Sequence, residues 1–320
     1  YEENLRYIKV NKVLPKDELD YWKNLRKKSP KSYEKNLKKS TNHGGKIKNN
    51  LVVGTIGHVK DGKSTLLAAI TKLQSNKKLA KLFDINEINN LKNEKEKGKQ
   101  IETKHYEYET EKRRYVHVDV PGHPDYYENY TVGISQMDVA ILVVSAVDGL
   151  MTQTKDHIII AKKMNVKDII VFVNKTDLMP DSDILELIGL EIKGYLGING
   201  YSSENRIIYG SALEAYKDND KNKSIQKLLD TLDNIDIPNR SNDVFFNMPI
   251  ENVYSITGIG TVVTGKVEQG SIQVGDSVNI IGFDKDKKSI VKNIKSLDNY
   301  LKIGQAGNYI GLLLDKIEID

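Results

Sequence analysis

Residues 51–64, LVVGTIGHVKDGKS, constrain this chain more than any other stretch. Apolar and small residues lead into Gly57-His58-Val59-Lys60-Asp61-Gly62-Lys63-Ser64, and Thr65 opens the helix-like run TLLAAITKL. A strand, then G-x-x-x-x-G-K-[ST], then a helix is the context in which this spacing signifies a phosphate-binding loop. The first N–H groups of the helix have no intrahelical partner. They converge on one point at the positive end of the helix dipole. Gly57 and Gly62 let the backbone pass close to phosphate oxygens, and His58, Val59, Lys60 and Asp61 complete the loop. Lys63 reaches the outer phosphates, and the Ser64 hydroxyl is placed to hold Mg²⁺. The plainer alternative is a glycine-containing strand-to-helix turn with no ligand. Further motifs, in the expected order, weigh against it.

The chain has 320 residues, enough for two domains with cores of their own. Charged residues make up 29% and hydrophobic ones 39%, an ordinary globular balance. No apolar run approaches the length of a membrane helix, and the longest, around 139–147, fits a buried strand, so no membrane partner is expected. The absence of cysteine excludes disulfides, thiolate metal sites and a cysteine nucleophile. The net charge of +4 is unevenly spread: residues 1–50 hold 14 Lys+Arg against 6 Asp+Glu. A basic leader of this kind suits nucleic acid or another anionic surface, although a solvated tail reads the same way.

In that leader, 17–28 is expected as a helix presenting Leu19, Trp22 and Leu25 on one face, and the rest to Gly45 as linker. After the phosphate loop, the polar segment 84–104 reads as a loop. Segments 105–110 and 115–120 alternate like a hairpin, and the second ends in Asp119-Val120-Pro121-Gly122. This is D-x-x-G at a strand end, where the carboxylate can reach Mg²⁺ through water and the Gly122 N–H can meet a terminal phosphate. Helices are expected at 126–136, 152–164, 183–196 and 224–232, and strands at 139–144, 169–173 and 207–210. The strand at 169–173 runs into Asn174-Lys175-Thr176-Asp177. In N-K-x-D, the Asp177 carboxylate can accept two hydrogen bonds from guanine that adenine cannot offer. Asn174 would brace the loops and the Lys175 stem would cover the base. Ser211-Ala212-Leu213 follows the next strand, and a backbone N–H there can meet the guanine carbonyl. The alternation of strands and helices argues an α/β domain with a mainly parallel sheet. After residue 240 the pattern changes to short strands, at 246–254, 260–268, 277–281, 289–294 and 309–314, which argues a small β-barrel. The expected organisation is a leader at 1–50, a nucleotide-binding domain at 51–240 and a barrel at 241–320.

With these motifs in place, residues 51–315 resemble the elongation factor Tu family of translational GTPases, of bacterial and organellar type. The runs that carry the resemblance are GTIGHVKDGKS (54–64), YVHVDVPGHPDY (115–126), QMDVAILVVSAVDGLMTQTKDH (136–157), the 174–177 and 210–213 motifs, and PIENVYSITGIGTVVTGKVEQG (249–270). The resemblance implies a Ras-like GTPase domain followed by translation-protein domain 2, with GTP or GDP and Mg²⁺ as ligands. The sequence is expected to end after the first barrel, so the family's third domain is expected to be either truncated away or lacking. It also implies that His123, which follows D-x-x-G, positions the attacking water. His58, His105, His117 and His157 take structural or solvent-facing roles on this reading.

The departures from the family matter as much. Gln100 stands where its first switch has threonine, and Lys99 where it has the isoleucine of a hydrophobic gate, while Val59, the other half of that gate, is kept. Lys60-Asp61 replaces Asp-His in the phosphate loop. In the second domain, Glu251, Asn252 and Tyr254 stand where the family has Glu, Asp and Phe. The arginine and asparagine of its pocket for the aminoacyl end of tRNA align with Asp298 and Tyr309. Two expectations follow. The first is a GTPase acting in translation, with the ribosome or its RNA as partner and exchange factors as candidates. The second is a GTP-binding, ribosome-associated module with weak or no hydrolysis and no ordinary tRNA delivery. The basic leader suggests a mitochondrion or another organelle, and the cytoplasm otherwise.

Overall fold

The computed structural model describes residues 49–89, 104–120, 127–202, 206–236, 238–256, 260–281, 287–296 and 300–315. The expected helix at 17–28, Lys99, Gln100, Gly122, His123 and Asp298 lie outside these residues. The chain divides into compact units at 48–238 and 239–320.

In the first unit, a six-stranded sheet runs in the order β2-β3-β1-β4-β5-β6. Its strands are β1 (Asn49–Ile56), β2 (Lys104–Glu109), β3 (Arg113–Asp119), β4 (Val139–Ser145), β5 (Asp168–Asn174) and β6 (Ile207–Tyr209). Only the β2–β3 hairpin at one edge is antiparallel, and every other neighbouring pair is parallel. The sequence accounts for this. All seven residues of β4, VAILVVS, are buried, as a strand covered by helices on both faces must be. Leu51, Val53, Tyr115, Ile141, Val143, Ile170 and Phe172 share one hydrophobic cluster with residues of α1 (Lys63–Asn76), α6 (Ala212–Lys217) and α7 (Lys223–Asp233). In α7, Ile225, Leu228, Leu229 and Leu232 repeat at helical spacing and are buried together. The alternating residues, Val52, Val116, Leu142 and Val171, are equally buried. On that side α3 (Tyr127–Ser135) packs on β3, and α4 (Thr152–Lys163) packs on β4. The last helix of the set, α5 (Ser182–Ile198), starts where the Asp181 carboxylate accepts from the N–H groups of Asp183 and Ile184.

Part of the segment expected as a loop is ordered differently. A short helix, α2 (Ile85–Asn89), begins there. The Asp84 carboxylate accepts from the Asn86 N–H at 2.8 Å, and the Glu87 carboxylate accepts from the Asp84 N–H at 3.0 Å. This reciprocal capping starts a helix in an otherwise polar stretch, and Ile88 anchors it in the core.

The second unit is antiparallel. Its principal sheet runs β10-β11-β14-β8-β7, with β12 on β11, and β13 pairs with β9. These strands are β7 (Asn252–Ile256), β8 (Gly260–Lys266), β9 (Ser271–Gln273), β10 (Ser277–Ile280), β11 (Lys287–Lys295), β12 (Tyr300–Leu301), β13 (Ile303–Gln305) and β14 (Tyr309–Leu314). Val263, Val267, Ile272, Val291, Ile294, Ile310 and Leu312 fill its core. The arrangement is that of a small barrel. The strand expected from 246 begins only at Asn252, and before it only Asn247 bridges to Gln269. Pro249 has no N–H to give a ladder.

Candidate nucleotide-binding site

The site is assembled at the C-terminal ends of β1, β3, β4, β5 and β6, where loops of a parallel sheet converge. The loop after β1 turns through three positive-φ residues, Gly57 (137°), Lys60 (69°) and Gly62 (97°). Neither glycine has room for a side chain. A Cβ would lie 2.2 Å from the Val143 carbonyl oxygen at Gly57, and 2.2 Å from the Asn174 amide nitrogen at Gly62. Gly62 then caps α1, so the unpaired N–H groups of the first turn open onto the loop. Ser64 and Thr65 lie half-buried on that turn, and His58 and Val59 are half-buried in the loop, while Lys60 is exposed.

Lys63 is buried, and its ammonium donates to the carbonyl oxygens of Gly57 (3.0 Å) and His58 (2.7 Å). Burial lowers its pKa, and the carboxylates of Asp119 and Asp61 oppose that shift. The lysine therefore lies under the loop as a desolvated cation, suited to an incoming anion. Asp119, at the end of β3, is buried and accepts a 2.9 Å bond from the Thr55 hydroxyl on β1. The Asp61 carboxylate accepts from the His58 N–H at 3.0 Å.

Asn174 ties the loops together. Its amide donates to the Asp61 carbonyl oxygen at 2.8 Å and accepts from the Ala212 N–H at 2.9 Å. One side chain at the end of β5 thus joins the phosphate loop to the 211–213 motif. Lys175 sits at φ 60°, with its ammonium 3.7 Å from the Asp148 carboxylate. Asp177 is exposed on the single 3₁₀ turn Thr176–Leu178. Beside it opens a cleft of about 570 Å³, with Thr176, Gly210 and Ser211 among its walls. Ser211 caps α6 by accepting from the Glu214 N–H, and Leu213 is exposed at its start.

The sequence assigned His157 no part here, but α4 brings it to the loop. Its Nδ1 accepts the Gly57 N–H at 2.9 Å, across 100 residues of chain. The ring is buried, and its pKa is lowered to about 3 by burial first, then by Lys63 and His58. It therefore serves the loop as a neutral imidazole. No local motif marks such a residue. His117 is buried on β3 beside the Tyr108 hydroxyl, away from the loop.

The Ser64 hydroxyl at the start of α1 and the Asp119 carboxylate at the end of β3 are each hard oxygen donors. That suits Mg²⁺, which keeps waters and needs few protein ligands. Among the described residues no group of three or more His, Asp or Glu gathers as a denser metal cage. A doubly wound sheet, a glycine-shaped phosphate loop with a buried lysine, and a strand-end carboxylate define a phosphate-loop nucleotide-binding protein.

The comparison with known families specifies the class. Residues 48–237 match the family described as elongation factor Tu GTP binding domain, and residues 260–320 match elongation factor Tu domain 2. The chain belongs to the elongation factor Tu family of translational GTPases. This membership implies guanine-nucleotide binding, typically with Mg²⁺.

Proposed function

We propose that this chain binds GTP with Mg²⁺ and hydrolyses it to GDP in a translation context. The observation that carries this reading is the position of Asn174, which couples the loop that would hold the phosphates to the loops that would read guanine. Ser64 and Asp119 would hold the Mg²⁺, which supplies charge neutralisation for the phosphates. Lys63 would give up its two carbonyl contacts for phosphate oxygens, and Asp177 would read the base. By family resemblance, His123 would orient the attacking water. Transfer of the terminal phosphoryl group to that water needs positioning and charge stabilisation, and no covalent enzyme intermediate. The ribosome or its RNA is the proposed partner, and the basic leader supports an organellar setting.

One observation favours the second reading, a nucleotide-binding module that does not deliver tRNA. Tyr309 and Glu251 are both buried, and the tyrosine hydroxyl donates to the carboxylate at 2.5 Å. Two side chains of domain 2 that align with the family's aminoacyl pocket are thus engaged with each other.

Single-turnover GTP hydrolysis with Mg²⁺, with and without ribosomes, separates the two. Ribosome-stimulated turnover that His123→Ala abolishes supports the GTPase. Bound, uncleaved GTP in both conditions supports the binding module. Stimulation only in a Lys99→Ile, Gln100→Thr variant would place the deficit in the first switch.

A further inference from the structure

The phosphate loop encloses a carboxyl group to which the function above gives no task. Asp61 is fully buried. One carboxylate oxygen accepts from the His58 N–H, and the other has no hydrogen-bond partner among the described residues. A buried carboxylate oxygen left without a donor is costly as an anion.

Among the described residues, the surrounding charges are few. From α1 comes Lys63, whose ammonium is directed at the Gly57 and His58 carbonyl oxygens and whose attraction Asp61 shares with Asp119. Lys175 and Asp148, from the loops after β5 and β4, lie 3.7 Å from each other, so each offsets the other's field at Asp61. Within the loop, His58 offers its backbone N–H, while its buried Nδ1 is itself without a partner among the described residues. From α4, His157 is turned to the Gly57 N–H. From β5, Asn174 meets the Asp61 carbonyl and not its carboxyl. Among the described residues, no cation is dedicated to the Asp61 side chain.

A nucleotide bound here brings several negative charges to the N–H groups around this carboxyl. Lys63 would then be drawn towards the phosphates. Like charges in a desolvated site disfavour each other's ionised forms. We propose that the phosphate loop takes up its nucleotide together with a proton, and that Asp61 holds this proton. A solvent proton adds to the unpartnered carboxylate oxygen, giving an O–H, while the other oxygen keeps the His58 N–H. No other bond changes. Burial has already raised the pKa of Asp61 to about 7 before any ligand arrives, so the linkage falls in the physiological range. The inference rests on the nucleotide-binding reading above.

The test is calorimetric titration of the native protein and Asp61→Asn with Mg²⁺–GDP between about pH 6 and 8.5, in two buffers of different ionisation enthalpy. Asparagine keeps an acceptor for the His58 N–H but cannot titrate. The native protein should lose about 30-fold in affinity across that range beyond any loss in the variant, and near pH 8 it should take up most of one extra proton. Equal slopes and equal proton counts in the two proteins would overturn the proposal. Carbon-13 titration of the Asp61 carboxyl in the native protein provides an independent readout should the variant not fold. A midpoint near neutrality, moving upward with GDP, supports the proposal, and a midpoint in the ordinary aspartate range with GDP bound refutes it. Failure of the native protein to bind GDP at any pH would remove the nucleotide reading and this proposal together. Binding without pH dependence would remove the proposal alone.

Discussion

At the scale of single residues, the site depends on side chains that hold backbone more than on those that face a ligand. Asn174 makes one bond as donor and one as acceptor, both to backbone and both buried. Asn174→Ala leaves the Asp61 carbonyl and the Ala212 N–H without these bonds. Each loss costs on the order of 1–2 kcal/mol. The phosphate loop and the 211–213 turn should then move independently. We expect a melting temperature lowered by several degrees and GDP dissociation faster by about tenfold or more. Thermal unfolding and displacement of a fluorescent GDP analogue measure the two effects. A loss of stability with unchanged dissociation would show that the bracing serves the fold and not the site. His157 makes the same point from the other side of the loop. It acts through Gly57, and its value lies in being neutral.

At the scale of elements, local signals are legible where they are long and periodic, and silent where a tertiary contact supplies the stability. The apolar run of β4, the helical spacing of α7 and the strand-loop-helix frame of residues 51–76 are each legible alone. Strands β9, β12 and β13 are two or three residues long, too short for a two-residue period to show. Their pairing depends on Ile272 and neighbours meeting a core built elsewhere. The site motifs were legible because chemistry fixes their spacing. His157 was not, because its partner is 100 residues away. Helix α2 is a different case. Its Asp84–Glu87 capping signal is present in the sequence, but the surrounding charge masked it. Glu87→Ala removes the acceptor of the Asp84 N–H from a five-residue helix and leaves the bond from the Tyr216 hydroxyl to Asp84 in place. The cost should be about 1 kcal/mol. Amide exchange at 85–88 should accelerate about fivefold, with GDP affinity unchanged, since α2 contributes no residue to the proposed site. Unchanged exchange would mean that Ile88 packing, the Asp84 cap and the Lys104 bond to the Ile88 carbonyl hold the turn without Glu87.

At the scale of the whole molecule, the buried titratable groups of the first unit act against one another on acidification. His117 and His157 both have pKa values lowered to about 3, with burial as the first cause. Below the ordinary histidine value, the unfolded chain takes up these protons and the folded chain does not. Stability is therefore lost as pH falls, by about 2 kcal/mol per histidine between pH 7 and pH 5. Asp61 has the opposite sign. Its folded pKa is raised to about 7, chiefly by burial. Between that value and the ordinary aspartate range, the folded protein binds a proton that the unfolded chain does not, so Asp61 recovers about 2 kcal/mol over the same interval. The sum is a moderate acid destabilisation in which one carboxyl in the phosphate loop offsets about half of the histidine effect. Urea unfolding of the native protein at pH 7 and pH 5 should show that moderate loss, and Asp61→Asn should show a loss about twice as large. If the variant instead matches the native protein at both pH values, Asp61 titrates alike in the folded and unfolded states. The desolvated carboxyl inferred in the phosphate loop would then not exist in solution.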